Sequence, residues 1–82
     1  QQYNVWNWNR MSMKSVIVSH EPVELYKILK FEGLVGSGGE AKTVVANGLV
    51  KVNGLVETQK RKKIVAGDIV EFSSERFEIQ LA

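Results

Sequence analysis

The sequence predicts an α+β domain in which two short, adjacent helices pack on a small, mostly antiparallel sheet of three to five strands. Three observations carry this. Apolar residues recur at helical spacing behind Pro22, a second helical segment opens at Ser37 with a capping signature, and after Gly48 the apolar period drops to two. The 82 residues, 44% hydrophobic and 24% charged, have the proportions of a globular chain with room for one core of ordinary size. Apolar runs are only a few residues long, as in Val16-Ile17-Val18, which excludes a spanning helix and leaves no apolar stretch for a secretory signal. Cysteine is absent, so disulfides, thiolate metal sites and cysteine nucleophiles are excluded, and a reducing, cytoplasmic location is expected.

Along the chain, residues 1–13 read as a tag or loosely ordered leader and residues 14–82 as a single domain. Gln1 to Arg10 is rich in Asn and Gln and lacks a pattern that would pack, and Met11 or Met13 would serve as a natural start. Trp6 and Trp8 within it could stack on nucleic-acid bases. Ser15 to Ser19, with a β-branched centre, reads as a first strand. Pro22 suits the first turn of a helix, where its missing N–H costs nothing. Leu25, Ile28 and Leu29 then face inward, Glu24, Lys27 and Lys30 face outward, and Gly33 ends the helix. Ser37-Gly38-Gly39-Glu40 is a capping box that opens the second helix. Ala41, Val44 and Val45 line its inner face, and Gly48 closes it.

Leu49 to Val52, the pair Asn53-Gly54, and Leu55-Val56 form a hairpin around the strongest short turn signal. The cluster Lys60-Arg61-Lys62-Lys63 follows. Ala66-Gly67-Asp68 turns into a strand over Ile69 to Phe72, and Ser73-Ser74 turns again. Phe77, Ile79 and Leu81 alternate with Glu78 and Gln80 in a last strand.

One segment imitates a nucleotide loop. Gly36 to Thr43 departs from GxxxxGK[ST] only in having Ala41 for the second glycine, where the backbone must wrap closely around phosphate. A nucleotide loop also follows a buried strand, whereas this segment follows a helix. The N–H groups of Gly38 and Gly39 could still receive one phosphate oxygen of a polyanion. The single histidine, His20, has neither a partner nucleophile nor a metal-ligating constellation, and reads as an exposed lead-in to the helix. The acids are scattered, without apolar flanks that would raise a pKa. These residues offer no catalytic group, metal site or cofactor site, so the expectation is a protein that is not an enzyme.

The net charge of +2 hides an uneven distribution. From Lys51 to Lys63 the basic residues Lys51, Lys60, Arg61, Lys62 and Lys63 face Glu57 alone; from Ile64 onward Asp68, Glu71, Glu75 and Glu78 face Arg76 alone. Such asymmetry points to a polyanionic partner on one face.

Leu25-x-x-x-Leu29, Gly33-Leu34, Ser37-x-x-Glu40-Ala41-Lys42, Gly48 to Gly54 and Ala66-Gly67-Asp68-Ile69-Val70 together resemble the RNA-binding domain of small-subunit ribosomal protein S-four, over about residues 22 to 72. Within that family it resembles the small stand-alone bacterial proteins of the YbcJ type, which are similar in length and carry an extra strand at each end. The resemblance implies binding of structured RNA on a basic surface formed by the two helices and the hairpin. It carries over Lys27 and Lys30 on the first helix, Ser37 and Lys42 on the second, and Lys51 and Asn53 on the hairpin. Gly38 stands where many members have arginine, and Tyr26 where aspartate is common. The weight therefore moves to Lys60, Arg61, Lys62 and Lys63, which could hold phosphates without reading sequence. The reading is a non-catalytic protein that binds ribosomal RNA or a ribosomal particle, with no membrane and no small-molecule substrate. The alternative is a protein-interaction module that adds the edge of its small sheet to a protein partner.

Overall fold

The structure is a computed structural model that describes residues 13–82. The leader expected over residues 1–13 lies, except for Met13, outside the described residues. The elements in chain order are β1 (Met13–Val18), β2 (Val23–Glu24), α1 (Leu25–Phe31), α2 (Gly38–Ala46), β3 (Val50–Val52), β4 (Leu55–Val56), β5 (Lys63–Ile64), β6 (Ile69–Phe72) and β7 (Glu75–Leu81). Five strands make one sheet in the order β1-β7-β6-β3-β4, and β2 pairs with β5 in a separate two-stranded ribbon. The large sheet is antiparallel except where β1 runs parallel to β7, with Val16 opposite Ile79 and Val18 opposite Leu81. The two strands expected at the ends of the domain thus pair with each other.

Period two decides which face of the sheet is wet. Val16, Val18, Val50, Val52, Val70, Phe77 and Ile79 are buried, and their alternate neighbours point the other way. The helices cover the buried face with Leu25, Ile28, Leu29, Ala41 and Val45, each fully buried. These are the residues that helical spacing selects, apart from Val44, which is partly buried and packs against the same cluster. Ile64, from the small ribbon, completes the core at full burial.

The sequence reading of Pro22 needs correction. Pro22 precedes β2, and α1 begins at Leu25, because Val23 and Glu24 are taken up in pairing with Ile64 and Lys63. No side chain caps α1. Its first N–H groups go instead to the chain that continues that pairing: Leu25 donates to the Lys62 carbonyl at 2.9 Å and Tyr26 to the Lys60 carbonyl at 3.1 Å. At α2 the Ser37 hydroxyl accepts from the Glu40 N–H at 3.1 Å. The Glu40 carboxylate reaches back one residue further than the usual box and accepts from the Gly36 N–H at 2.8 Å.

The hairpin turn is as expected. Asn53 and Gly54 both have positive φ, 54° and 87°, which a two-residue turn matched to strand twist requires.

Candidate nucleic-acid interface

Four cations in a row would be mobile on a free loop. Here their backbone is tied down at both ends, by the two hydrogen bonds to the start of α1 and by the β2–β5 pairing. That anchorage brings a segment remote in sequence against the first helix. Arg61 donates from Nη1 to both Glu24 carboxylate oxygens, at 3.2 and 3.4 Å. Its guanidinium carbon stands 5.5 Å from the centre of the Tyr26 ring. The Lys42 ammonium, from α2, lies 4.9 Å from the same ring. Both distances are within the range of cation–π attraction. Lys27 pairs with Glu24 at 3.7 Å, and Lys30 follows one turn later on α1. Lys27, Lys30 and Lys60 to Lys63 are all exposed, and Lys42 is half-buried.

Cations from α1, α2 and the 60–63 segment (Lys27, Lys42 and Arg61) thus meet around Glu24 and Tyr26, with Lys30 one turn along α1 and Lys60, Lys62 and Lys63 adjoining Arg61 in the chain. The ion pairs there are solvent-exposed and contribute little to stability, about 0–1 kcal/mol each. Their consequence is positional: they hold long side chains where a polyanion would meet them.

The structure divides the surface expected from the sequence. Lys51 lies on β3 between buried Val50 and Val52, so its side chain emerges on the face of the sheet turned away from the helices. Its cross-strand neighbours are Val56 and Glu71. The hairpin lysine and the helical lysines therefore do not share one face, because a strand alternates sides at every residue.

Asn53 is engaged within the chain. Its side-chain oxygen accepts from the Ile69 N–H at 2.9 Å, its amide donates to Asp68 at 3.1 Å, and its own N–H donates to the Ile69 carbonyl at 2.7 Å. Asp68 in turn accepts from the Val65 N–H at 3.0 Å. This stitches the β3–β4 turn to the loop before β6. The Ser37 oxygen is likewise the cap of α2, and the Glu40 carboxylate beside it disfavours an anion at that helix start. The segment resembling a nucleotide loop follows α1, not a strand.

Tyr26 is the residue that sequence reasoning missed. It stood out only as a departure from a family pattern, and nothing local signals that Lys42 and Arg61 converge on it. Among the described residues, no group of three or more His, Asp or Glu could hold a metal ion, and no helix is long and apolar enough to cross a membrane.

Two helices packed on one face of a mostly antiparallel five-stranded sheet, a two-residue ribbon securing a basic segment and end strands paired with each other define a small α+β domain class. Residues 16–80 match the S4 domain family, and the chain belongs to it. It is 50% identical over 60 residues to YbcJ of Escherichia coli (strain K12), an alignment that spans 73% of this chain and 86% of the relative. The solution structure of E. coli YbcJ, described as having an alfaL motif involved in RNA binding, superposes with a TM-score of 0.60 at 46% identity, over 85% of this chain and 87% of that one. The crystal structure of 30S ribosomal protein S4e from Thermoplasma acidophilum superposes with a TM-score of 0.61 at 30% identity, over 73% of this chain and 32% of that one.

Proposed function

We propose that this chain is a non-catalytic, cytoplasmic bacterial protein that docks structured RNA, ribosomal RNA foremost, on the cationic face made by Lys27, Lys30, Lys42 and Lys60 to Lys63. The observation that carries the reading is the anchorage of residues 60–63 on the start of α1, which joins the basic segment to the helical lysines. The likeness to YbcJ supports RNA as the polyanion. The likeness to a protein of the 30S subunit supports a ribosomal target. Docking is electrostatic: lysines and arginine replace counterions along the phosphate backbone, and selectivity comes from the shape of the RNA rather than from base edges. Ser37 and Asn53 contribute by holding α2 and the hairpin in place.

The test replaces Lys60, Arg61, Lys62 and Lys63 together with glutamine, which keeps the aliphatic stems and removes the charge. Titration of labelled ribosomal RNA fragments at several salt concentrations should show weaker binding for every fragment. The slope of log affinity against log salt should flatten by about 0.7–0.9 per lost phosphate contact. Circular dichroism checks that the fold survives. A folded quadruple variant with unchanged affinity and slope would refute the cationic-face mechanism, and docking of a protein on a sheet edge would then lead.

A further inference from the structure

We propose that Tyr26 is a positioning residue of this face, its ring gathering Lys42 and Arg61 from two separate stretches of chain into one pair that holds a single backbone phosphate. The inference rests on the RNA-binding reading above and names the arrangement within that face that meets the phosphate.

Three observations converge on it. First, the ring is fixed. Tyr26 is half-buried, packs against the core, and is tied by its N–H to the Lys60 carbonyl, one residue from Arg61. Second, both cations lie on that ring, at 4.9 and 5.5 Å, although one comes from α2 and the other from the segment leading into β5. Third, Arg61 is oriented as well as placed. The Glu24 carboxylate takes its Nη1, and among the described residues no hydrogen bond or ion pair uses Nη2 or Nε, which leaves donors in the fork geometry that grips two oxygens of one phosphate. The physical argument completes these observations: two cations held within 5.5 Å of one ring centre carry like charge, and a phosphate that both side chains reach is attracted by each of them.

A long side chain that is free in water loses rotamer freedom when it binds. The ring removes part of that loss beforehand for both cations. Leucine at position 26 would keep an apolar side chain against the core and remove the π face; phenylalanine would keep the π face and remove only the hydroxyl.

The experiment titrates a fluorescein-labelled RNA hairpin with the unmodified chain, Tyr26→Leu and Tyr26→Phe at several salt concentrations. Tyr26→Leu, with every cation retained, should bind about three- to ten-fold more weakly. Its salt slope should fall by about 0.7–0.9, one phosphate contact. Tyr26→Phe should restore both quantities. A variant that loses only stability would not show this rescue together with the slope change. In the unmodified chain, the side-chain proton resonances of Lys42 and Arg61 should carry ring-current shifts that persist when the RNA is added, a readout independent of whether Tyr26→Leu folds. Unchanged affinity and slope in a folded Tyr26→Leu, or ring-current shifts that vanish on binding, would overturn the positioning role while leaving the RNA reading intact. Failure of the unmodified chain to bind the hairpin in a salt-dependent way would overturn the RNA reading itself.

Discussion

A lysine on the outer face of the sheet communicates with the helical face only through the body of the domain and the surrounding salt. Lys51 stands beside Val56 and opposite Glu71, with the sheet and its core between it and Tyr26. At physiological ionic strength exposed charges are screened over about 8 Å, less than the thickness of a sheet with a helical layer on it. Lys51→Gln should therefore leave RNA affinity within about two-fold at that salt concentration. The corresponding change at Lys62 or Lys63 should weaken binding measurably, and the same salt titration compares them. A larger loss at Lys51 would mean that RNA wraps the sheet edge and reaches both faces. At this scale the sequence was half legible. The cations could be counted and the alternation of β3 read, yet the direction in which Lys51 points relative to the helices depends on which face α1 and α2 cover. The role of Tyr26 depends on a contact with Arg61, far along the chain, which no local pattern encodes.

Ser73 and Ser74 join β6 to β7 with positive φ at both positions, 55° and 66°. Most residues with a Cβ are disfavoured there by roughly 1–2 kcal/mol each, whereas Gly adopts this conformation freely and Asn tolerates it. Replacing Ser73-Ser74 with Asn-Gly, the pair that the β3–β4 hairpin already uses, should stabilise the domain by about 1 kcal/mol, read as a rise in the denaturant midpoint at unchanged slope. The elements that sequence found most easily are those with dense local signals: α1 and α2 from their apolar spacing, α2 also from its cap, and β3–β4 from Asn53-Gly54. The ribbon of β2 and β5 carried no such signal. Two residues cannot show a period, and Val23-Glu24 paired with Lys63-Ile64 is a contact between distant stretches. Because that pairing has no local signal, the pattern around Pro22 points to a helix start, and the anchorage of the basic segment cannot be read from it.

The whole domain rests on one cluster of buried side chains, small in absolute size, to which both layers and the ribbon contribute. Leu29 is fully buried in it, so Leu29→Ala should cost about 2–5 kcal/mol, measured by chemical denaturation. For a domain of this length that is a large part of the total stability, and a fraction of the variant should be unfolded without denaturant. The placing of β7 has a consequence in time. It lies between β1 and β6, yet it is the last of the described strands along the chain. Until β7 inserts, β1 has no partner in the sheet, and the edge of β6 lies open. The closing contact joins residues as far apart as Val16 and Ile79, so it demands the costliest loop closure in the fold. During synthesis the α1–α2 layer and the β3–β4 hairpin can form early. The first strand must wait, exposed, until residues 75–81 emerge.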